Sequence, residues 1–383
     1  MTFILSFKAA TAQELSFQQA DSTSEALFQA GEWHKLLHFG ARSIHDSIDF
    51  PALRLRLGYA DFVTENYHAA LKQYHKILKQ NAYDQTARYF SYWSHLYLNQ
   101  DQGAAYDAAY MDADQLKAAN MRKFDFISAG LESGIKFSDN YYRGNAYYNR
   151  FSLSNRLSWR LQLDQSIAYF TQSIDNRRYI FLNNNTGKKD NQFEYYAKLS
   201  YAITENMRIL GAYHYLNTNF LNITYNSNIG LAGLQYNGTY INLQGDINWG
   251  SMIKNYLIQY NAAVSIYPFG NFNLYTISRA SYLHQNGAGQ AIFNQSAGFK
   301  FIKNIWLETS ATFGNQDNYI DKDGLYIYNS IDRTKLKLGE TAFFQLSKQV
   351  QLQLNYAYEK KLDETHSLSY GQHAVTTGIL WRF

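Results

Sequence analysis

The chain has 383 residues, 17% aromatic and 17% charged, with 34 tyrosines, two prolines, no cysteine and a formal net charge of +4 at pH 7. The missing cysteine excludes disulfides, thiolate metal sites and a cysteine nucleophile, and the mild, scattered charge excludes a basic nucleic-acid surface. Mean hydropathy is −0.42 and no apolar run reaches the ~18 residues of a spanning helix; a membrane β-barrel stays open, because its strands are only half apolar.

The chain opens MTFILSFKAATAQ. Phe3 to Phe7 form a short apolar core, and Ala10-Thr11-Ala12 gives a small-x-small cleavage pattern before Gln13. Residues 1–12 are therefore expected to be a truncated export signal, with no basic residue ahead of a core shorter than the usual ~7–15 residues.

From about Ser22 to Lys117 the chain is rich in Ala, Leu, Gln, Lys and Glu. Its clearest unit, PALRLRLGYADFVTENYHAALKQYHKILKQNAYD, carries Leu57-Gly58 on a first helix and Ala70 with Tyr74 on a second. These features resemble the tetratricopeptide (TPR) repeat. Arg54, Asp61 and Ala82 depart from that pattern, standing where the family favours Trp, Tyr and Pro. Trp33 and Tyr67 lie 34 residues apart, as do Ala70 and Ala104, so about three repeats are expected over 20–118. A single unit cannot close a helical solenoid core. Leu55, Tyr59, Phe62, Tyr89 and Trp93 are the groove candidates; helix-to-helix packing is the competing reading. The resemblance implies a docking arm for a partner protein, with no chemistry of its own.

Beyond residue 122 the period changes to two. In VQLQLNYAYEK, Val350, Leu352, Leu354, Tyr356 and Tyr358 share one face, and Gln351, Gln353, Asn355, Ala357 and Glu359 the other. YINLQGDINW, LIQYNAAVSIY and IWLETSATFG repeat the alternation. Segments of ~10–14 residues exceed the ~5–6 of soluble strands and reach the ~9–11 needed to span a bilayer. Their apolar faces end in aromatics suited to the interface: Tyr213, Tyr215, Tyr267, Tyr282, Tyr356, Tyr358 and Trp381. Short turns are expected at Ser158-Trp159, 204–207, Asn237-Gly238, 268–271, Lys303-Asn304 and Lys348-Gln349. Longer polar loops are expected at 138–145, 175–191, 221–228 and 317–334. Pairing gives an antiparallel transmembrane barrel of about 14 strands (12–16) over 122–383; the fold class is thus two-domain α + β, a short helical solenoid followed by a barrel.

Inward positions are expected to hold Arg150, Arg156, Lys198, Arg208, Lys300, Lys335, Lys337 and Arg382, with Asp164, Glu194, Asp246, Glu308 and Glu359. The basic excess favours an anionic solute if the lumen is open; paired charges that fill a narrow lumen are the alternative. Glu340 falls on the outward face, which a bulge near Gly339 or an interfacial depth would explain. His284 lies near Ser281, and His366 near Glu364 and Ser367, but neither group makes a catalytic motif. Asp321, Asp323 and Gly324 lack the rest of a calcium loop. No catalytic residue, metal site or cofactor is expected.

The chain ends TTGILWRF. Thr376, Gly378, Trp381 and Phe383 resemble the C-terminal signal of outer-membrane barrels, which the barrel-assembly machinery reads by pairing with the strand edge. The whole resembles, in architecture, the exopolysaccharide-export porins and the YaiO-like barrels. That resemblance implies a bilayer-embedded protein in the Gram-negative outer membrane, with a TPR arm in the periplasm and a periplasmic partner upon it. A channel for solute or polymer export and a non-conducting scaffold of a secretion or envelope-assembly complex are the two functional readings.

Overall fold

The computed structural model describes residues 16–98, 100–174, 188–220, 223–238, 240–252 and 255–383. The expected export signal lies outside these. Among the described residues seven helices come first: α1 (Phe17–Gln29), α2 (Trp33–His45), α3 (Pro51–Val63), α4 (Tyr67–Leu78), α5 (Gln85–Tyr97), α6 (Asp101–Ala108) and α7 (Ala113–Ala118). Local sequence sets their starts. Ser16 and Gln19 form a capping box on α1, Asn66 caps α4, Asp84 caps α5, and Pro51 opens α3 where its missing N–H costs nothing. The first six helices pack as successive pairs, and α3 also touches α1 and α5. A Cβ on Gly58 would lie 2.6 Å from the Tyr74 ring, so the small residue lets the fully buried aromatic fill the space between α3 and α4. Ala70 and Ala104, one period apart, are both fully buried.

Fourteen antiparallel strands then close into a barrel, the number expected. They are β1 (Asp125–Ser138), β2 (Arg143–Ser158), β3 (Leu161–Ile174), β4 (Lys188–Ala202), β5 (Met207–Phe220), β6 (Ile223–Asn237), β7 (Ile241–Met252), β8 (Asn255–Ile266), β9 (Leu274–Gln285), β10 (Ala288–Ile302), β11 (Ile305–Phe313), β14 (Arg333–Gln345), β15 (Val350–Asp363) and β16 (Leu368–Arg382). Two further short strands, β12 (Ile320–Asp321) and β13 (Tyr326–Ile327), pair only with each other, inside the β11–β14 connection. The seam joins β1 to β16, with Ser128 opposite Arg382.

Alternation holds around the wall: Leu243, Tyr260, Leu354, Tyr356, Ile379 and Trp381 face outward as an apolar belt. The structure corrects several expectations. Residues 223–228 belong to β6 and 188–191 to β4, so neither stretch is loop. Connections at the loop end can be as short as those at the turn end: Asn286 and Gly287 alone join β9 to β10, both at positive φ. Tyr267 is no interfacial tyrosine; it is buried against His68, Phe272 and Tyr275. The bulge in β14 falls between Thr334 and Leu336, away from Gly339, and leaves Glu340 on the outer face opposite Thr309 and Tyr356.

The helical domain sits against the turn end, called here the lower mouth. Asn271 Nδ2 donates to the Glu65 carbonyl at 2.9 Å, the His68 N–H donates to the Gly270 carbonyl at 3.3 Å, and Arg160 donates to Tyr110 Oη at 2.9 Å. His75 meets Glu205 of the β4–β5 turn. Gly270, at φ +64°, abuts Asn66 so closely that a Cβ would lie 1.9 Å from its Oδ1.

Candidate functional site

The β11–β14 connection, residues 314–332, folds into the barrel from the upper mouth. Tyr319 and Ile320 are buried on an inward apolar patch of Ile229, Met252, Leu257, Leu283 and Ile292, each such side chain worth ~1.5–3 kcal/mol of burial. Gln259 clamps the Ile320 backbone twice: its Nε2 donates to the carbonyl at 2.6 Å and its Oε1 accepts the N–H at 3.0 Å.

At the tip three successive residues hold positive φ: Lys322 (47°), Asp323 (60°) and Gly324 (83°). Only glycine takes that region without strain, so the wall must enforce the turn. Lys198 and Arg279 flank the Asp323 carboxylate at 3.2 and 3.4 Å, and Gln244 donates to it at 2.6 Å. Tyr196 Oη donates to the Asp323 carbonyl and His214 Nδ1 to that of Gly324. On the return, Arg150 donates to the Leu325 carbonyl and lies 4.4 Å over the Tyr326 ring, whose hydroxyl donates to Glu132. Asn329 donates to Gln192 and Thr218, and Asp332 takes both Arg143 donors. The connection thereby crosses from the β6–β10 wall to β1, β2 and β4.

Beside it remains a cavity of about 650 Å³. Amides and charges, including Gln172, Gln192, Gln244, Asn294, Gln353 and Gln372, share its lining with aliphatic side chains and with the rings of Tyr148, Phe170, Tyr326 and Tyr328.

Most sequence-derived lumen charges are engaged. Arg150 pairs with Glu194 at 3.1 Å, and Lys198 bridges Asp164 at 3.6 Å and Asp323. Asp246 accepts from Gln244, Asn248 and Asn261, and Glu308 accepts from Tyr275. Glu359 is shared by Lys136 at 3.1 Å and Lys361 at 3.6 Å. Arg156 donates to the Arg122 carbonyl near the lower mouth, Arg208 is half-buried at the start of β5, and Lys300 reaches Glu65 of the helical domain at 4.0 Å. Lys337 donates to Tyr328 Oη at 2.8 Å. Two positions differ in setting: Lys335 is exposed at the β14 bulge, away from the cavity, and Arg382 is half-buried at the last strand's lower end. Of the bases counted from sequence, Arg150, Lys198 and Lys300 meet carboxylates, and two of the partner acids, Asp323 and Glu65, lie outside that set.

On the helical domain, Leu55 and Phe62 pack on the Tyr74 cluster, and Tyr89 and Trp93 on the Tyr92 cluster. Tyr59 contacts Phe28, Trp33 and Phe90 with ring centroids 5.2–5.6 Å apart. These half-buried rings form one continuous aromatic row across α3 and α5 that ends on exposed Tyr97. In β16, Trp381 faces outward and Thr376 and Gly378 inward; Phe383 follows, its N–H donating to the Ile127 carbonyl. His284 faces outward while Ser281 is buried inward, so they share no site. His366 Nδ1 bonds to Asp363 at 2.8 Å and its ring stacks on Tyr142. Among the described residues no three His, Cys, Asp or Glu side chains gather as a metal site.

No family model matches the chain, and no curated protein sequence matches it. Solved structures match in fold. A deltaS2S3 mutant of the monoaromatic hydrocarbon channel TodX aligns at 8% identity over 70% of this chain and 92% of that one, with a TM-score of 0.50. A Pseudomonas aeruginosa FadL homologue aligns at 9% identity over 73% and 94%, with a TM-score of 0.43. Acinetobacter baumannii Omp33 aligns at 9% identity over 67% and 99%, with a TM-score of 0.41. Taken with the closed 14-stranded topology and the outward apolar belt, the first of these matches is a likeness of fold: a porin-like barrel of the outer-membrane type, preceded by a helical domain.

Proposed function

We propose that the chain is an outer-membrane channel for small polar solutes in a Gram-negative envelope, with its helical domain in the periplasm as a TPR-like docking arm. The observation that carries this reading is the 650 Å³ cavity, lined by amides, charges and aromatic rings, held inside a closed barrel beside an anchored, in-folded connection. A cavity of that size suits a small molecule. The barrel that this fold resembles is a hydrocarbon channel; the amides and charges lining this lumen favour a polar cargo instead. The aromatic row over Tyr59, Phe62, Tyr89 and Trp93 is offered to a periplasmic protein.

Single-channel recording in planar bilayers tests the reading. Discrete conductance steps are expected, and a silent, correctly folded barrel would sink it. A second reading, the non-conducting scaffold, draws on the helical domain seated at the lower mouth and the connection crossing the lumen. Gentle affinity isolation from envelopes should then yield a stoichiometric partner from a barrel that conducts nothing.

A further inference from the structure

On one sector of the outer wall the apolar belt is broken. Glu340 points outward from the middle of β14, with Leu338 above it and Ala342 and Phe344 below it on the same face. A carboxylate set against hydrocarbon is costly unless another group answers it. Its own chain offers no such group. Among the described residues the Glu340 carboxylate has no hydrogen bond or ion pair, and the hydroxyl of neighbouring Tyr356 is turned to His373 Nδ1 at 2.7 Å.

Polar side chains continue from Glu340 across three strands. Thr309 stands opposite it on β11, its hydroxyl also without a partner among the described residues. Farther along, on β10 and β9, Gln295 Oε1 accepts from Ser278 at 2.6 Å and Gln295 Nε2 donates to Thr276 at 2.5 Å. These side chains alternate with Asn294, Ser296, Ile277 and Arg279, which line the cavity, so they face outward. Ala280, Ala297 and Ala311 fill the spaces between them. The opposite wall is different: β4 presents exposed Phe193, Tyr195, Leu199 and Tyr201. Within a bilayer, small residues let two protein surfaces approach closely, and polar ones bond across the gap.

The sector is also self-complementary. Its carboxylate lies on β14, its amide and two hydroxyls on β10 and β9, and β11 runs between. A two-fold axis along the membrane normal, passing near β11, carries each Glu340 onto the amide and hydroxyl cluster of a second copy. The same axis brings Thr309 close to its own mate.

We propose that this sector is a subunit interface, through which two copies of the chain pair side by side in the membrane. The pairing rests on the barrel lying in a bilayer and not on conduction.

The chain has no cysteine, so single substitutions report contacts without background. In outer membranes holding the full-length chain, oxidation of Thr309→Cys should give a disulfide-linked dimer, and Leu199→Cys, on the opposite wall, should not. Sedimentation in detergent should show two chains for the native protein. Glu340→Leu or Gln295→Leu should raise the dissociation constant about tenfold, while Glu340→Gln, which still hydrogen-bonds, should pair almost as the native chain does. Heat-modifiable mobility on gels shows that each variant is folded. Equal cross-linking at 309 and 199, a Thr309→Cys adduct with a different protein, or native-like pairing by a folded Glu340→Leu, Gln295→Leu double variant overturns the proposal. Bilayer recordings of the same preparations separate the two ideas. A conducting chain that stays single removes the pairing alone, and a silent chain that pairs removes the channel alone.

Discussion

Arg143 and Asp332 meet through two parallel hydrogen bonds of 2.6 and 2.8 Å in a buried setting, joining the start of β2 to the end of the in-folded connection. Tyr370 adds a donor to Asp332 at 2.7 Å, and Asp363 lies 3.2 Å from the same guanidinium. Removing one member of a buried pair costs ~3–5 kcal/mol when the other is stranded; here Asp363 still neutralises Arg143. Asp332→Asn should therefore release the return limb without unfolding the barrel. Hydrogen exchange of detergent-solubilised protein should show faster exchange at 325–332, with strand amides unchanged.

Replacing 319–328 by a Gly-Ser linker removes the Tyr319–Ile320 plug, the Gln259 clamp and the Asp323 anchor together. Larger single-channel conductance than the native barrel is expected. Equal conductance would mean that current flows elsewhere.

The helical domain should respond to pH through Asp61. Burial pushes this carboxyl up to about 7, against a Gln73 hydrogen bond and the Lys72 charge. A folded-state pKa raised above the unfolded value gives stability that is complete below about pH 4 and is lost as pH rises through about 7. Asp61→Asn should then raise the melting temperature of the helical circular-dichroism signal at pH 8 and leave it nearly unchanged at pH 4. His68 and His95 act oppositely. Burial lowers them to about 3 and about 4, so their contribution is present above pH 6.5 and is lost as pH falls.

Gly270→Ala should detach the helical domain from the lower mouth. Alanine is strained at φ +64°, and its Cβ would strike Asn66. Limited proteolysis should cut near residues 119–124 faster than in the native chain.

Deleting Phe383 removes an exposed ring near Phe126 and the N–H that bonds to Ile127. Lower outer-membrane levels are expected, with normal behaviour of the molecules that do assemble. Immunoblots of membrane fractions decide it; unchanged levels would contradict the assembly role of this ending.

The barrel was legible because several strands separate their faces cleanly, as Val350 to Glu359 do, and a period of two admits few alternatives. The helix pairs were legible from Gly58 and Tyr74, whose sizes only make sense together. The in-folded connection was not. YIDKDGLYIY reads as a polar loop by its aspartates, while Tyr319, Ile320, Tyr326 and Tyr328 are what seat it. A signal existed in NIGLAGL, where Ile229 and Leu231 are apolar on the face that should be polar. Reading it requires knowing that something apolar will come to cover that wall, and such contacts span ~90 residues of sequence, beyond the range of local patterns. The pairing of lumen charges failed for the same reason: alternation fixes which way Lys198 points but not that Asp323 will be waiting there.

The seam between β1 and β16 joins residues near the two ends of the barrel sequence. Biogenesis thus acquires an order of events. The final strand is made last, so every other pairing can form before the ring shuts, and the hairpin of β12 and β13 has an open wall through which to swing inward. Once shut, the wall itself no longer offers the hairpin a way in. A bulky group fixed to the tip before assembly would stall maturation at the last zipper, whereas the same group added afterwards would find the tip already enclosed.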